Sequence, residues 1–133
     1  MNKFFFTAAA LFGALAVSLG AFAAHKLKMI LPADAVAVFD TGVRYQFYHT
    51  LALLIIGIAP EKFSARWLRR AGNCFIIGII LFSGSLYTLT ILKIAEITAA
   101  NTYVGIVTPF GGLFFIAGWL FLFFAASKDK NQV

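Results

Sequence analysis

Four stretches of this chain run without a charged residue for long enough to decide what it can fold into. Phe4 to Ala24 spans 21 residues, Tyr45 to Pro60 spans 16, Ala71 to Leu92 spans 22 and Ile97 to Ser127 spans 31. As helix, at about 1.5 Å per residue, the first reaches about 31 Å, enough for a hydrocarbon core of about 30 Å. Around these stretches 62% of the 133 residues are apolar and 12% are charged, where a soluble domain carries about 25% charged. A soluble fold of this size has no interior for sixteen phenylalanines. The chain reads as an integral membrane protein. The same composition excludes a disordered chain, a disulfide scaffold (one Cys) and a zinc module (one Cys, two His).

The expected fold is all-α, an integral membrane four-helix bundle in a single transmembrane domain over 1–133, with spans about 4–24, 43–60, 71–92 and 108–127. The second stretch is short for a span and is lengthened if its helix begins near Asp40-Thr41 and Arg44 snorkels to the headgroups. The fourth is too long for one straight helix, and Thr108-Pro109 reads as its N-cap and first helical position. Residues 93–107 then form an outer connection. Between the first two spans, Pro32-Ala33-Asp34 starts a short interfacial helix with Val36, Phe39 and Val43 on one face, ended by Asp40 and Thr41. Lys3 and the apolar run before Ala21-Phe22-Ala23 also match the outline of a secretory signal. The run is long for a signal, and the first-span reading is preferred.

Basic residues give the orientation. With four spans, Lys3, Lys62, Arg66, Arg69, Arg70, Lys128 and Lys130 fall on one side, and Lys26, Lys28, Arg44 and Lys93 on the other. Seven against four puts both termini in the cytoplasm of a bacterial inner (plasma) membrane. Trp67, among Arg66, Arg69 and Arg70, reads as an interfacial anchor. The charge excess is thus topology and lipid headgroups, and nucleic acid is excluded as a partner. Small residues recur along the first span (Ala10, Gly13, Val17, Gly20, Ala24), the third (Gly72, Gly78, Gly84) and the fourth (Gly105, Gly111-Gly112, Gly118). In lipid such stripes mark the faces where helices meet. Phe4, Phe5, Phe12, Phe114, Phe115, Phe121 and Phe123 are expected on the opposite, lipid-facing sides.

Polar residues within a span are costly unless paired. Folding the four spans antiparallel collects most of them at the outer end: His25, Arg44, Gln46, Tyr48, His49, Ser83, Ser85, Tyr87 and Thr108. Arg44 and Tyr48, like Tyr45 and His49, are four apart and form two ridges. One reading is a hydrogen-bond network that ties the helix ends together. The other is a layer that binds a lipid headgroup, a quinone-like molecule or a partner subunit. The expected partners are membrane lipids, with a membrane-protein partner or a second copy of the chain.

Catalysis has few parts here. Two histidines could supply a base, but only the weak Ser83/Ser85 pair accompanies them, and two His without a third ligand make a poor metal site. Asp34, Asp40, Glu61, Glu96 and Asp129 all lie outside the spans, against a carboxylate-driven proton-coupled exporter. Cys74 is alone. No cofactor is expected. An accessory protein that binds a lipid or a partner is the favoured reading, and a small membrane enzyme or transporter for a lipophilic substrate at the His25/His49 level the alternative.

Four motifs stand in order: Gly20-Ala21-Phe22-Ala23-Ala24-His25-Lys26-Leu27, then Thr41-Gly42-Val43-Arg44-Tyr45-Gln46-Phe47-Tyr48-His49-Thr50-Leu51-Ala52, then Leu81-Phe82-Ser83-Gly84-Ser85-Leu86-Tyr87, and Thr108-Pro109-Phe110-Gly111-Gly112. Together they resemble the YgdD-like family of small integral membrane proteins, a domain-of-unknown-function family with bacterial and animal members. The resemblance covers nearly the whole chain. It implies a four-span helical protein of the bacterial inner membrane and no established activity, substrate or cofactor. Thr50 stands where the family often has Ala, and Ala23 where it often has Gly.

Overall fold

The computed structural model describes residues 1–97 and 99–127, and every regular element among them is helical. Lys128, Asp129 and Lys130 lie outside the described residues. Four long helices are formed among the described residues: α1 (Lys3–Ile30), α2 (Ala33–Ile58), α3 (Ala65–Ile94) and α4 (Asn101–Ser127). α1, α3 and α4 are long and apolar enough to cross a membrane. α2 is 26 residues long, but its middle carries Arg44, Gln46, Tyr48 and His49.

Two expected boundaries are corrected. No separate interfacial helix is formed by the described residues between α1 and residue 58, because α2 continues through residues 33–58 without a break. Asp40 does not end a helix; its carboxylate pairs with Arg44 at 3.0 Å, one turn on. Thr41 returns its hydroxyl to the Ala37 carbonyl at 2.9 Å. Both are contacts that a continuing helix makes. Likewise Thr108-Pro109 is not the start of the fourth helix, which begins at Asn101 and carries Pro109 inside it. Proline lacks an N–H and so leaves the carbonyl one turn back, at Gly105, without its helical donor. That loss is tolerated in membrane helices where neighbouring groups compensate.

The glycines set the helix registers. Gly57 faces Phe6, Gly13 faces Thr50 and Gly20 faces Val43, so each step of seven along α1 is matched by a step of seven back along α2. The two helices therefore run antiparallel. α3 and α4 repeat the arrangement, with Phe82 against Gly111, Gly78 against Phe115 and Phe75 against Gly118. The last two contacts are reciprocal, each helix placing a phenyl ring over a glycine of the other. A Cβ on Gly111 would lie 2.4 Å from the Phe82 backbone nitrogen, and one on Gly57 would lie 2.9 Å from that of Phe6. Only backbone without a side chain fits at those points.

The same contacts correct part of the phenylalanine pattern. Phe4 and Phe123 point outward, but Phe5 and Phe115 are buried, Phe5 over Gly72 and Phe115 over Gly78. They join Ala52, Leu53, Ile56, Phe75 and Ile79 in one apolar core. Leu11, Ile55, Ile80, Leu113 and Ile116 stay exposed, apolar surface that suits hydrocarbon. Within α1 and α3, Ala23–Leu27 and Ile79–Ser83 form wider π-helical turns. The second of these turns ends at Ser83, which enters the polar site.

Candidate functional site

α2 is the hub of the polar residues, since its position among the helices lets one face reach each of the other three. Gln46 donates its amide to the Phe12 carbonyl of α1 at 2.9 Å and accepts the Tyr87 hydroxyl of α3 on Oε1 at 2.8 Å. Ser83, fully buried, donates to the Gly42 carbonyl of α2 at 2.7 Å. That bond requires close backbone approach, and Gly42 permits it, with the Tyr87 ring 2.9 Å from where a Cβ would stand. On the far side of α3, Ser85 bonds the Phe82 carbonyl at 2.8 Å and the Thr108 hydroxyl at 2.7 Å. A serine has one proton to give. If it goes to the carbonyl, Thr108 is the donor, and α4 is held to α3.

His49 completes the set. Its ring is 4% exposed and stacks face to face on Phe115, with centroids 3.5 Å apart and planes 4° from parallel. The Trp119 indole N–H donates to Nε2 at 3.2 Å, and Nδ1 lies 2.6 Å from the Tyr45 carbonyl. Indole only donates and a carbonyl only accepts, so the assignment follows: a neutral imidazole with its proton on Nδ1 satisfies both bonds. Both nitrogens are thereby committed. A general base needs a nitrogen free to reach its proton, and His49 has none in this arrangement.

The expected single layer resolves into separate bonded groups: Gly42, Gln46, Ser83 and Tyr87; Ser85 with Thr108; and His49 with Trp119. The remaining three candidates stand apart from them. His25 is exposed on the π-helical turn of α1, Tyr48 is 53% exposed beside Tyr45, and Arg44 is exposed in its pair with Asp40. Sequence reasoning missed Trp119 and Phe115 as partners of His49. Their spacing was the available signal, since residues four apart share a helix face and Trp carries a donor that must be met in a membrane. It also missed that Thr50 Oγ1 is buried with no hydrogen-bond partner. Among the described residues, no group of three His, Cys, Asp or Glu could hold a metal ion.

Beside the bonded groups, a cleft of about 550 Å³ opens between the end of α1 and the start of α2. Gly20, Ala23, Ala24 and Ala37 make its small-residue walls, and Lys28 and Asp40 bring one charge of each sign to it. The π-helical turn of α1 supplies Ala23 and Ala24. Lys93 of α3 pairs with Asp34 of α2 at 3.3 Å, and its hydrogen bond and charge hold the Asp34 carboxyl below the usual range.

Residues 19–112 match the family model described as "Protein of unknown function (DUF423)". The chain belongs to this family. The match runs from the end of α1 through the Gly111-Gly112 pair of α4, and so takes in the π-helical turns and all nine candidate residues. Relatives extend the likeness to both ends. A UPF0382 membrane protein of Haemophilus influenzae is 40% identical over 98% of this chain and 99% of its own length. The UPF0382 membrane protein YwdK of Bacillus subtilis is 39% identical, covering 95% of this chain and 98% of its own. The UPF0382 inner membrane protein YgdD of Escherichia coli K12 is 34% identical over 98% and 95%. No solved structure matches. These relatives are named as membrane proteins, and none of the names carries an activity.

Proposed function

We propose that the chain is a non-catalytic accessory protein of the bacterial inner membrane that holds a lipid at one end of a four-span bundle. α2 is read as the fourth span. Its 26 residues reach about 39 Å as helix, and its second half turns Leu51, Ile55 and Ile58 outward. The excess of Lys and Arg about the residue 59–64 connection and at Lys3 favours cytoplasmic termini, and the relative YgdD carries "inner membrane" in its name.

One observation carries the functional reading. Each buried polar side chain in the bonded groups at the α2 hub is spent on another helix or on backbone, including both nitrogens of His49. Those groups act as an interhelical lock and offer a ligand or a reacting atom nothing. The cleft between α1 and α2 is different, being open, walled by small residues and lined by exposed Lys28 and by Asp40 in its pair with Arg44. A charge of each sign beside an apolar wall suits the polar end of a membrane lipid.

Two variants separate lock from site. Ala37→Trp fills the cleft and is expected to lower the lipid that copurifies while the bundle stays folded. Ser83→Ala is expected to lower stability and leave that lipid in place. The reverse pattern would return the site to the polar residues, and capture of a protein in place of lipid would make the cleft a partner surface. Turnover of a lipid or quinone abolished by His49→Ala would favour an enzyme. Reporter fusions to both ends test the orientation, and an extracytoplasmic C-terminus would refute it.

A further inference from the structure

The opposite end of the molecule carries a basic surface that neither the lock nor the cleft explains. Lys62, Arg66, Arg69 and Arg70 fall within nine residues, with Glu61 as the one neighbouring acid, and all four cations are exposed. Arg66, Arg69 and Arg70 lie three and four apart on the first turns of α3, where like charges repel. Neither ion pair among the described residues relieves them, since Asp34–Lys93 and Asp40–Arg44 are both made elsewhere.

The surroundings fix the depth of this patch. The charge-free run of α3 begins at Ala71, immediately after Arg70. Trp67 packs against Phe121 and Phe124 of α4 with ring centroids 5.4 Å apart, and the Arg70 guanidinium lies 4.8 Å over its ring. A tryptophan at the border of an apolar span sits at headgroup level. The Ser64 N–H, bonded to the Ala125 carbonyl at 3.1 Å, ties this end of α3 to the end of α4. A cavity of about 210 Å³ adjoins the patch, lined by apolar Ile56, Phe63 and Leu68 and, on its polar part, by Asn2, Glu61 and Arg69.

We propose that this end binds the phosphate of an anionic phospholipid, with Arg66, Arg69, Arg70 and Lys62 as its cationic ligands. The polar part of the cavity wall, with Asn2, receives the adjoining glycerol, and Ile56, Phe63 and Leu68 the first part of a chain. Crowded like charges at headgroup depth, in neither of the ion pairs among the described residues, are matched by phosphate from the bilayer, and guanidinium suits it through paired N–H donors. This inference is independent of the α1–α2 cleft.

The test uses purified full-length protein reconstituted into vesicles of equal parts phosphatidylglycerol and phosphatidylcholine. Lipid retained after re-extraction is counted by mass spectrometry. The unmodified chain is expected to retain phosphatidylglycerol in several-fold excess. The triple variant Arg66→Gln, Arg69→Gln, Arg70→Gln is expected to lower that preference by on the order of tenfold. The variant Lys26→Gln, away from both the patch and the lining of the cleft, should keep it. Circular dichroism checks the fold, and single Arg69→Gln, with a smaller loss, serves if the triple variant does not fold. No preference in the unmodified chain, an unchanged preference in the triple variant, or an equal loss in Lys26→Gln would each overturn the proposal. Equal retention with inorganic phosphate competing as well as the lipid would assign the patch to a free anion and overturn it too.

Discussion

Trp119 of α4 donates its indole N–H to Nε2 of His49 in α2, 3.2 Å away, while the same imidazole lies flat on Phe115 one turn before the tryptophan. The pair joins two helices that are not neighbours in sequence. Interhelical hydrogen bonds in membrane proteins are worth about 0.6 kcal/mol on average and up to about 1.7. Trp119→Phe keeps an aromatic ring but removes the donor, and should cost about 1 kcal/mol. A double-mutant cycle with His49→Phe, read by unfolding in detergent, is expected to give a coupling of about 0.6–1.7 kcal/mol. Strict additivity would mean that the bond contributes nothing.

The glycines separate into positions that the packing needs and positions it does not. Gly111→Ala forces a methyl into the Phe82 backbone and should destabilise by about 1–3 kcal/mol, the range for overpacking. Gly84 has nothing within 4 Å of an added Cβ. Gly84→Ala should therefore be neutral or stabilising by up to about 1 kcal/mol through helix propensity. Equal melting temperatures for the two variants would contradict the α3–α4 register described above.

How far the sequence carried this fold follows from what each signal encodes. Charge-free length marks apolar helices, so α1 and α3 were legible as helices, though each runs six residues past the charge-free stretch at one end, to Ile30 and from Ala65. Helix ends were legible only where local chemistry decided them. Asp40-Thr41 and Thr108-Pro109 have the composition of caps, but the first makes i,i+4 contacts within α2, and the second lies inside α4 with Thr108 bonded to Ser85 of α3. The bonded polar set was legible from depth for Gln46, His49, Ser83, Ser85, Tyr87 and Thr108. Depth does not give the direction a side chain takes around the helix axis, so Arg44, Tyr48 and His25 were included beside them. Trp119 was missed for the same reason, and Phe5 and Phe115 were assigned to lipid because a glycine opposite them is visible only once the helices are paired.

Thr50 carries a buried hydroxyl with no partner, in α2 opposite Gly13. An unpaired buried polar group costs about 1–3 kcal/mol. Thr50→Val keeps the shape and removes the hydroxyl, and is expected to raise stability by about 1 kcal/mol in thermal unfolding. A fall of that size would mean that the hydroxyl is bonded after all, with water the first candidate.

The Asp34–Lys93 pair gives a pH dependence of known sign. Lys93 lowers the Asp34 pKa through its hydrogen bond and its charge. A carboxylate held below its unfolded value stabilises the fold at pH above that unfolded value, about 3.9, and the contribution disappears as the pH falls through the lowered one. Asp34 is fully exposed to solvent, so salt screens the pair. Asp34→Asn should flatten the acid limb of the stability curve at low ionic strength, with little effect in high salt. Identical acid limbs for the two proteins at low salt would remove the pair from any account of stability.

Glu96 ends α3 in a conformation that favours glycine. Its φ is +57°, and the following Ile97 N–H reaches back to the Leu92 carbonyl at 3.0 Å, the six-to-one bond of a Schellman turn. For a residue with a Cβ the left-handed region costs about 1 kcal/mol. The Glu96 side chain is exposed and takes no part in either ion pair among the described residues. Glu96→Gly relieves the strain without removing a contact, although glycine also gains entropy in the unfolded chain. The net expectation is a stabilisation of about 0.5–1 kcal/mol, measured by thermal unfolding in detergent. Glu96→Ala keeps the Cβ and should leave stability unchanged. If Glu96→Ala matched the gain of Glu96→Gly, the benefit would come from removing the carboxylate, and the left-handed turn would not be the cause.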